Sequence, residues 1–134
     1  MSRHVVVVED DPHNATLFRK IFEKRLGCTV TVTEHPDELF ALAQAGGVDL
    51  VVMDVSLGHS KWLGRQVNGV ELCKLLKSDP ATIAIPVLIA TAHAMRGDAQ
   101  KLLADSGADD YVAKPILDHA VFVDQVRELM ERAA

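Results

Sequence analysis

The chain has 134 residues, 49% of them hydrophobic, and a formal net charge of −5 at neutral pH. This length predicts one domain with a true core rather than a disordered chain, and the acidic balance argues against the basic stripe of a nucleic-acid surface. With no apolar stretch near the ~18 residues of a membrane span and no signal-peptide core, a soluble cytoplasmic protein is expected, without a membrane partner.

The first apolar run, residues 5–8, is all valine. It is continuous rather than alternating, as in a strand buried on both faces of a parallel sheet. It runs into Glu9, Asp10, Asp11 and Pro12. Leu17, Phe18, Ile21 and Phe22 then recur at helical spacing ahead of Gly27, a natural C-terminal stop. Residues 29–33 alternate, with Val30 and Val32 apolar, and suit an edge strand. Residues 36–45 read as a second helix, closed by Gly46 and Gly47. Residues 50–53 and 87–90 are further continuous strands, and 111–113 is a short last one. Helices are predicted over 70–77, 93–105 and 119–132. Five strand–helix pairs in succession predict an α/β fold with a doubly wound parallel sheet. No linker, repeat or low-complexity segment appears, and the chain stops soon after the last helix, so a single domain over 1–134 is expected. Cys28 and Cys73 form neither a CxxC nor a metal-ligand spacing, and reduced core thiols are expected in place of a disulfide.

Right-handed crossovers gather all strand C-termini on one edge of such a sheet, where open α/β folds bind ligands. The residues just past the strands are Glu9, Asp10 and Asp11, then Asp54, Thr91 and Lys114. Asp11 has a structural explanation, as an N-cap before Pro12 at the first helical position. Glu9 and Asp10 have no such role. Beside Asp54 they would raise one another's pKa unless a cation sits among them. A hard divalent ion with oxygen ligands, Mg²⁺ most simply, fits that set. Taken alone, the Glu9–Asp10 pair reads equally as a solvated loop. Lys114, in "YVAKP", is either a loop lysine or the partner of a carboxylate or phosphoryl oxygen. Thr91 is either a donor to the same oxygen or the N-cap of the next helix.

Together these residues resemble the receiver domain of two-component response regulators, the CheY-like superfamily, over essentially the whole chain. The family pattern is an acidic pair after the first strand, Asp after the third, Thr or Ser after the fourth and Lys-Pro after the fifth. Here these are Glu9-Asp10, Asp54, Thr91 and Lys114-Pro115, and "GADDYVAKP" is typical of the family. The resemblance implies the flavodoxin-like strand order 2-1-3-4-5. It implies Asp54 as phosphoacceptor from a phosphohistidine of a histidine kinase or histidine phosphotransfer protein. It implies Mg²⁺ held by Asp10, Asp54 and the Ser56 carbonyl, with Glu9 acting through water. It implies that Lys114 holds the phosphoryl group and that Thr91 and Tyr111 move with it. Ser56 and His93 would tune dephosphorylation, and the Lys114–Pro115 bond would be cis.

The function implied is a switch rather than a metabolic enzyme. Output would pass to a downstream protein through the face of the fourth helix, fifth strand and fifth helix. A homodimer is compatible with this. Two other readings compete. One is an unphosphorylated docking module; the intact acids, Thr91 and Lys114 count against it. The other is an Asp-nucleophile phosphatase, but a haloacid-dehalogenase-like enzyme wants a second Asp where Ser56 stands. One departure from the family is clear. Gly58 stands where a proline is usual, and the glycine that opens the third helix is Gly69. The intervening loop, with Lys61, Trp62 and Arg65, is therefore long. It reads as a tolerated surface insertion or as a partner contact.

Overall fold

The computed structural model describes residues 3–55, 61–62, 65–66, 68–92 and 98–133. Its main sheet has five parallel strands: β1 (His4–Val8), β2 (Thr29–Thr33), β3 (Leu50–Asp54), β4 (Val87–Thr91) and β5 (Asp110–Ala113). Their order across the sheet is β2-β1-β3-β4-β5. The helices are α1 (Pro12–Lys20), α2 (Pro36–Ala45), α3 (Gly69–Ser78), α4 (Asp98–Ser106) and α5 (His119–Ala133). Both the doubly wound architecture and the strand order agree with the sequence reading, including β2 as an edge strand.

The valine run explains the layering. Successive strand side chains point to opposite faces. Val5 and Val7 pack with Phe18, Phe22 and Phe122, while Val6 and Val8 pack with Leu39, Met53, Leu72 and Leu76. Because helices cover both faces, every position of β1 after His4 must be apolar. In the first layer the Phe122 ring meets Phe18 at 5.9 Å and Phe22 at 5.8 Å between centroids. Each fully buried aromatic or large aliphatic side chain contributes about 1.5–3 kcal/mol.

Several local features differ from the expectation or extend it. Beyond α1 the chain continues as a π-helical turn, Ile21–Arg25, before Gly27 at φ 64°. Helix α4 is described from Asp98 to Ser106, so the first residues of the predicted 93–105 helix lie outside the described residues. Within the long loop, Lys61–Trp62 pairs antiparallel with Arg65–Gln66. No alternation flagged that short ribbon. Cys28 and Cys73 are buried and unbridged, as expected.

Candidate functional site

The site lies at the C-terminal edge of β1, β3, β4 and β5. At the end of β1 the three acids separate by role. Asp11 is the N-cap of α1: its side chain accepts from the His13 N–H at 2.8 Å, and Pro12 follows at the first helical position. Its carboxylate thereby satisfies one of the helix's orphan donors. Glu9 prolongs the parallel pairing, its N–H donating to the Thr33 carbonyl at 3.1 Å. Its carboxyl is driven inward, leaving the residue 3% exposed. Asp10 is half-buried beside it.

Asp54 ends β3 and is also 3% exposed. Glu9, Asp10 and Asp54 each place a carboxylate oxygen within 4.8 Å of the others'. Lys114 reaches into this cluster from the end of β5. Its ammonium donates to Asp54 Oδ1 at 2.7 Å and contacts Glu9 Oε1 at 3.5 Å. The Lys114 N–H also donates to the Thr91 carbonyl at 2.8 Å, and the Lys114–Pro115 bond is cis. Thr91, the last residue of β4, is 2% exposed. Tyr111 is half-buried on β5. Ser56 and His93 lie outside the described residues, as do Gly58 and most of the long loop.

The electrostatics follow from crowding. Burial, reinforced by the hydrogen bond and charge of Asp54, pushes the Glu9 carboxyl up to about 8, against the opposing pull of Lys114. Burial lowers the Lys114 ammonium, but the hydrogen bond and charge of Asp54, and then Glu9, more than offset it and leave its pKa raised. The Lys114 ammonium is thus shared between the carboxylates of Asp54 and Glu9. Glu9 Oε2 is buried and finds no hydrogen-bond partner among the described residues. A buried oxygen left without a partner is costly. An all-oxygen donor set with an unsatisfied buried member suits a hard divalent cation.

Residues 5–127 match the family model for the response regulator receiver domain. The chain belongs to that family. This receiver domain is 35% identical over 116 residues to the polar-differentiation response regulator DivK of Brucella ovis, covering 87% of each chain. The same figures hold for DivK of Brucella abortus strain 2308. Among solved structures, it resembles the signal receiver domain of a signal transduction histidine kinase from Syntrophus aciditrophicus. There the TM-score is 0.80 at 25% identity, over 98% of this chain and 92% of that one. It also shares the fold of the receiver domain of sensor histidine kinase PA1611 from Pseudomonas aeruginosa PAO1, a structure with a magnesium ion coordinated in its active site cleft. That match has a TM-score of 0.80 at 22% identity, over 98% and 99% of the two chains.

Two features of the receiver domain's site were not read from sequence as functional. Gly69 abuts the backbone of Asp54, and Gln125 of α5 donates to the Tyr111 carbonyl at 2.7 Å and to Asp110 Oδ2 at 3.0 Å. Neither carries a local pattern that marks it, since each depends on where another element passes.

Proposed function

We propose that this receiver domain is a phosphoacceptor switch in which Asp54 takes a phosphoryl group from a phosphohistidine of a histidine kinase or phosphotransfer protein. The observation that carries this reading is Asp54 itself: a nearly buried carboxylate at a strand end, held at 2.7 Å by Lys114 and flanked by Glu9 and Asp10. The Asp54 carboxylate attacks phosphorus, an O–P bond forms, and the P–N bond to the donor imidazole breaks. The electron pair returns to the ring nitrogen. An aspartyl-phosphate is an established type of covalent intermediate.

Asp10 and Asp54 would hold Mg²⁺ with the Ser56 carbonyl, and Glu9 would assist through water. Bound there, the cation would neutralise the acids and the phosphoryl oxygens during transfer. Lys114 is already aimed at Asp54 and offers its ammonium to a phosphoryl oxygen in place of Oδ1. Thr91 supplies a hydroxyl at the end of β4, and Tyr111 follows it on β5. Ser56 and His93 are proposed, from family position alone, to tune loss of the phosphoryl group. The output surface is assigned to α4, β5 and α5, toward a downstream protein. Two large apolar side chains support that choice: Leu117, 90% exposed just before α5, and Val121, 62% exposed on it. A cytoplasmic location accords with a phosphohistidine donor.

The test is intact-mass spectrometry after treatment with acetyl phosphate and Mg²⁺. One added phosphoryl group is expected, absent in Asp54→Asn. Normal labelling of Asp54→Asn would overturn the assignment. Turnover of a generic phosphomonoester would favour an enzyme.

A further inference from the structure

The chain leaves β3 at Val55 and comes back to the same place at Gly69. The Gly69 N–H donates to the Val55 carbonyl at 3.2 Å, and the Val55 N–H donates to the Ala90 carbonyl at 3.1 Å. The two ends of the long loop are thus joined next to Asp54, whatever lies between them. The first turn of α3 is fixed there as well. Asn68 is its N-cap, with extended backbone and a side-chain oxygen that accepts from the Glu71 N–H at 3.0 Å.

Gly69 is needed at this neck for a steric reason. Gly27, Gly46 and Gly47 have positive φ and open space where a Cβ would sit. Gly69 is the reverse case: it begins a helix and is buried. A Cβ there would overlap the Asp54 carbonyl oxygen, and would stand 2.8 Å from the Asp54 carbonyl carbon and 3.0 Å from Val55 Cα. All three obstacles are backbone atoms, which cannot swing aside as a side-chain tip can.

We propose that Gly69 is a positioning residue for Asp54. Its missing side chain lets α3 seat directly on the backbone of residues 54 and 55, and this neck, rather than the insertion it closes, fixes the aim of the Asp54 carboxylate. The inference rests on Asp54 as phosphoacceptor. Any larger residue must push α3 and the end of β3 apart. Displacing a reacting group by about 1 Å is enough to cost on the order of 100-fold in rate.

The experiment compares Gly69→Ala with Leu76→Ala, which loosens α3 near its other end without touching the neck. Folding is checked by circular dichroism and thermal melting, and labelling by acetyl phosphate with Mg²⁺ is timed by intact mass. Folded Gly69→Ala should label about 100-fold more slowly, while Leu76→Ala should label at the wild-type rate below its melting range. Wild-type labelling of Gly69→Ala, or equal slowing of both variants, would overturn the proposal. If Gly69→Ala does not fold, the cap decides. Asn68→Ala should slow labelling and Asn68→Asp should restore it, and equal rates in both would overturn the proposal. If wild type itself does not label, the phosphoacceptor reading fails separately. The ¹³C shift of the Asp54 carboxyl then becomes the readout, comparing wild type with folded Gly69→Ala, or with Asn68→Ala if Gly69→Ala does not fold. An unchanged shift would mean that the neck does not position Asp54.

Discussion

The acids after β1 show how neighbours of like charge acquire different work. Asp11 faces a helix N-terminus and hydrogen-bonds there. Glu9 and Asp10 face Asp54. Asp10→Asn is therefore expected to weaken Mg²⁺ binding strongly in a calorimetric titration. Asp11→Ser should bind Mg²⁺ as wild type does and keep the cap, whereas Asp11→Ala should cost roughly 1 kcal/mol of stability. A larger loss of Mg²⁺ affinity in Asp11→Ser than in Asp10→Asn would reverse this division. Glu9 supplies a pH prediction. Its folded pKa, about 8, lies above the ordinary carboxyl range, so between the two values the folded state binds more protons than the unfolded state. Stability without divalent cations is then higher below that window and falls as pH rises through it. Melting curves in EDTA from pH 5 to 8 should show this fall, and Glu9→Gln should flatten it. The residue identities at the strand ends were legible in sequence because the topology gathers them. The Asp11 cap was legible because Pro12 follows it. Gly69 was legible through the family resemblance as the residue that opens α3, but its need to lack a side chain was not, because that need is an approach of α3 to Asp54 that no local pattern encodes.

Elements were legible where one force dominated. Continuous apolar runs identify strands buried on two faces, and helical spacing before a glycine identifies α1 and its stop. The same spacing runs on through Ile21 and Phe22 and does not distinguish the π-helical turn from the α-helix before it, and the two-residue strands of the long loop lack any periodic signal. Packing between elements is also invisible to periodicity, and Lys77 is the example. It sits near the end of α3 with its side chain 16% exposed, and pairs with Asp109 Oδ2 at 2.8 Å. It also donates to the carbonyls of Ile83, at 3.1 Å, and Ile85, at 2.8 Å. Asp109 Oδ2 in turn accepts from the Val87 N–H at 2.8 Å, at the start of β4. One lysine thus ties α3 to the approach to β4 and to the turn before β5, at the sheet edge opposite the acids. Lys77→Met would keep the aliphatic stem but strip three acceptors of a donor. A loss of about 1–3 kcal/mol is expected by urea denaturation, since breaking partly buried polar pairs leaves unsatisfied groups. Labelling of Asp54 should survive where the variant is folded. No change in the urea midpoint would mean that water replaces the ammonium at no cost.

At the scale of the whole molecule, the site and the proposed output face share β5. Lys114 follows this strand and holds Asp54, while Tyr111 lies on it, its carbonyl tied to Gln125 of α5. The Lys114 N–H, bonded to the Thr91 carbonyl, joins β5 to β4 at the same edge. A phosphoryl group would add roughly −1.5 to −2 charges there. It can shift the molecule only as far as it contacts one arrangement of these strands better than the other. Lys114 and Thr91 should divide that task. Lys114 carries the charge that holds the new oxygens, so Lys114→Ala should impair the chemistry. Thr91 offers a hydroxyl and no charge, so Thr91→Ala should still label but should not carry the change along β5. Amide spectra of labelled and unlabelled protein decide this. In wild type, labelling should move the signals of Tyr111, Leu117 and Val121. In Thr91→Ala, Asp54 should label while those three signals stay near their unlabelled positions. Identical movements in both proteins would show that β5 responds to the phosphoryl group without Thr91, and would leave the ammonium of Lys114 as the link between site and face.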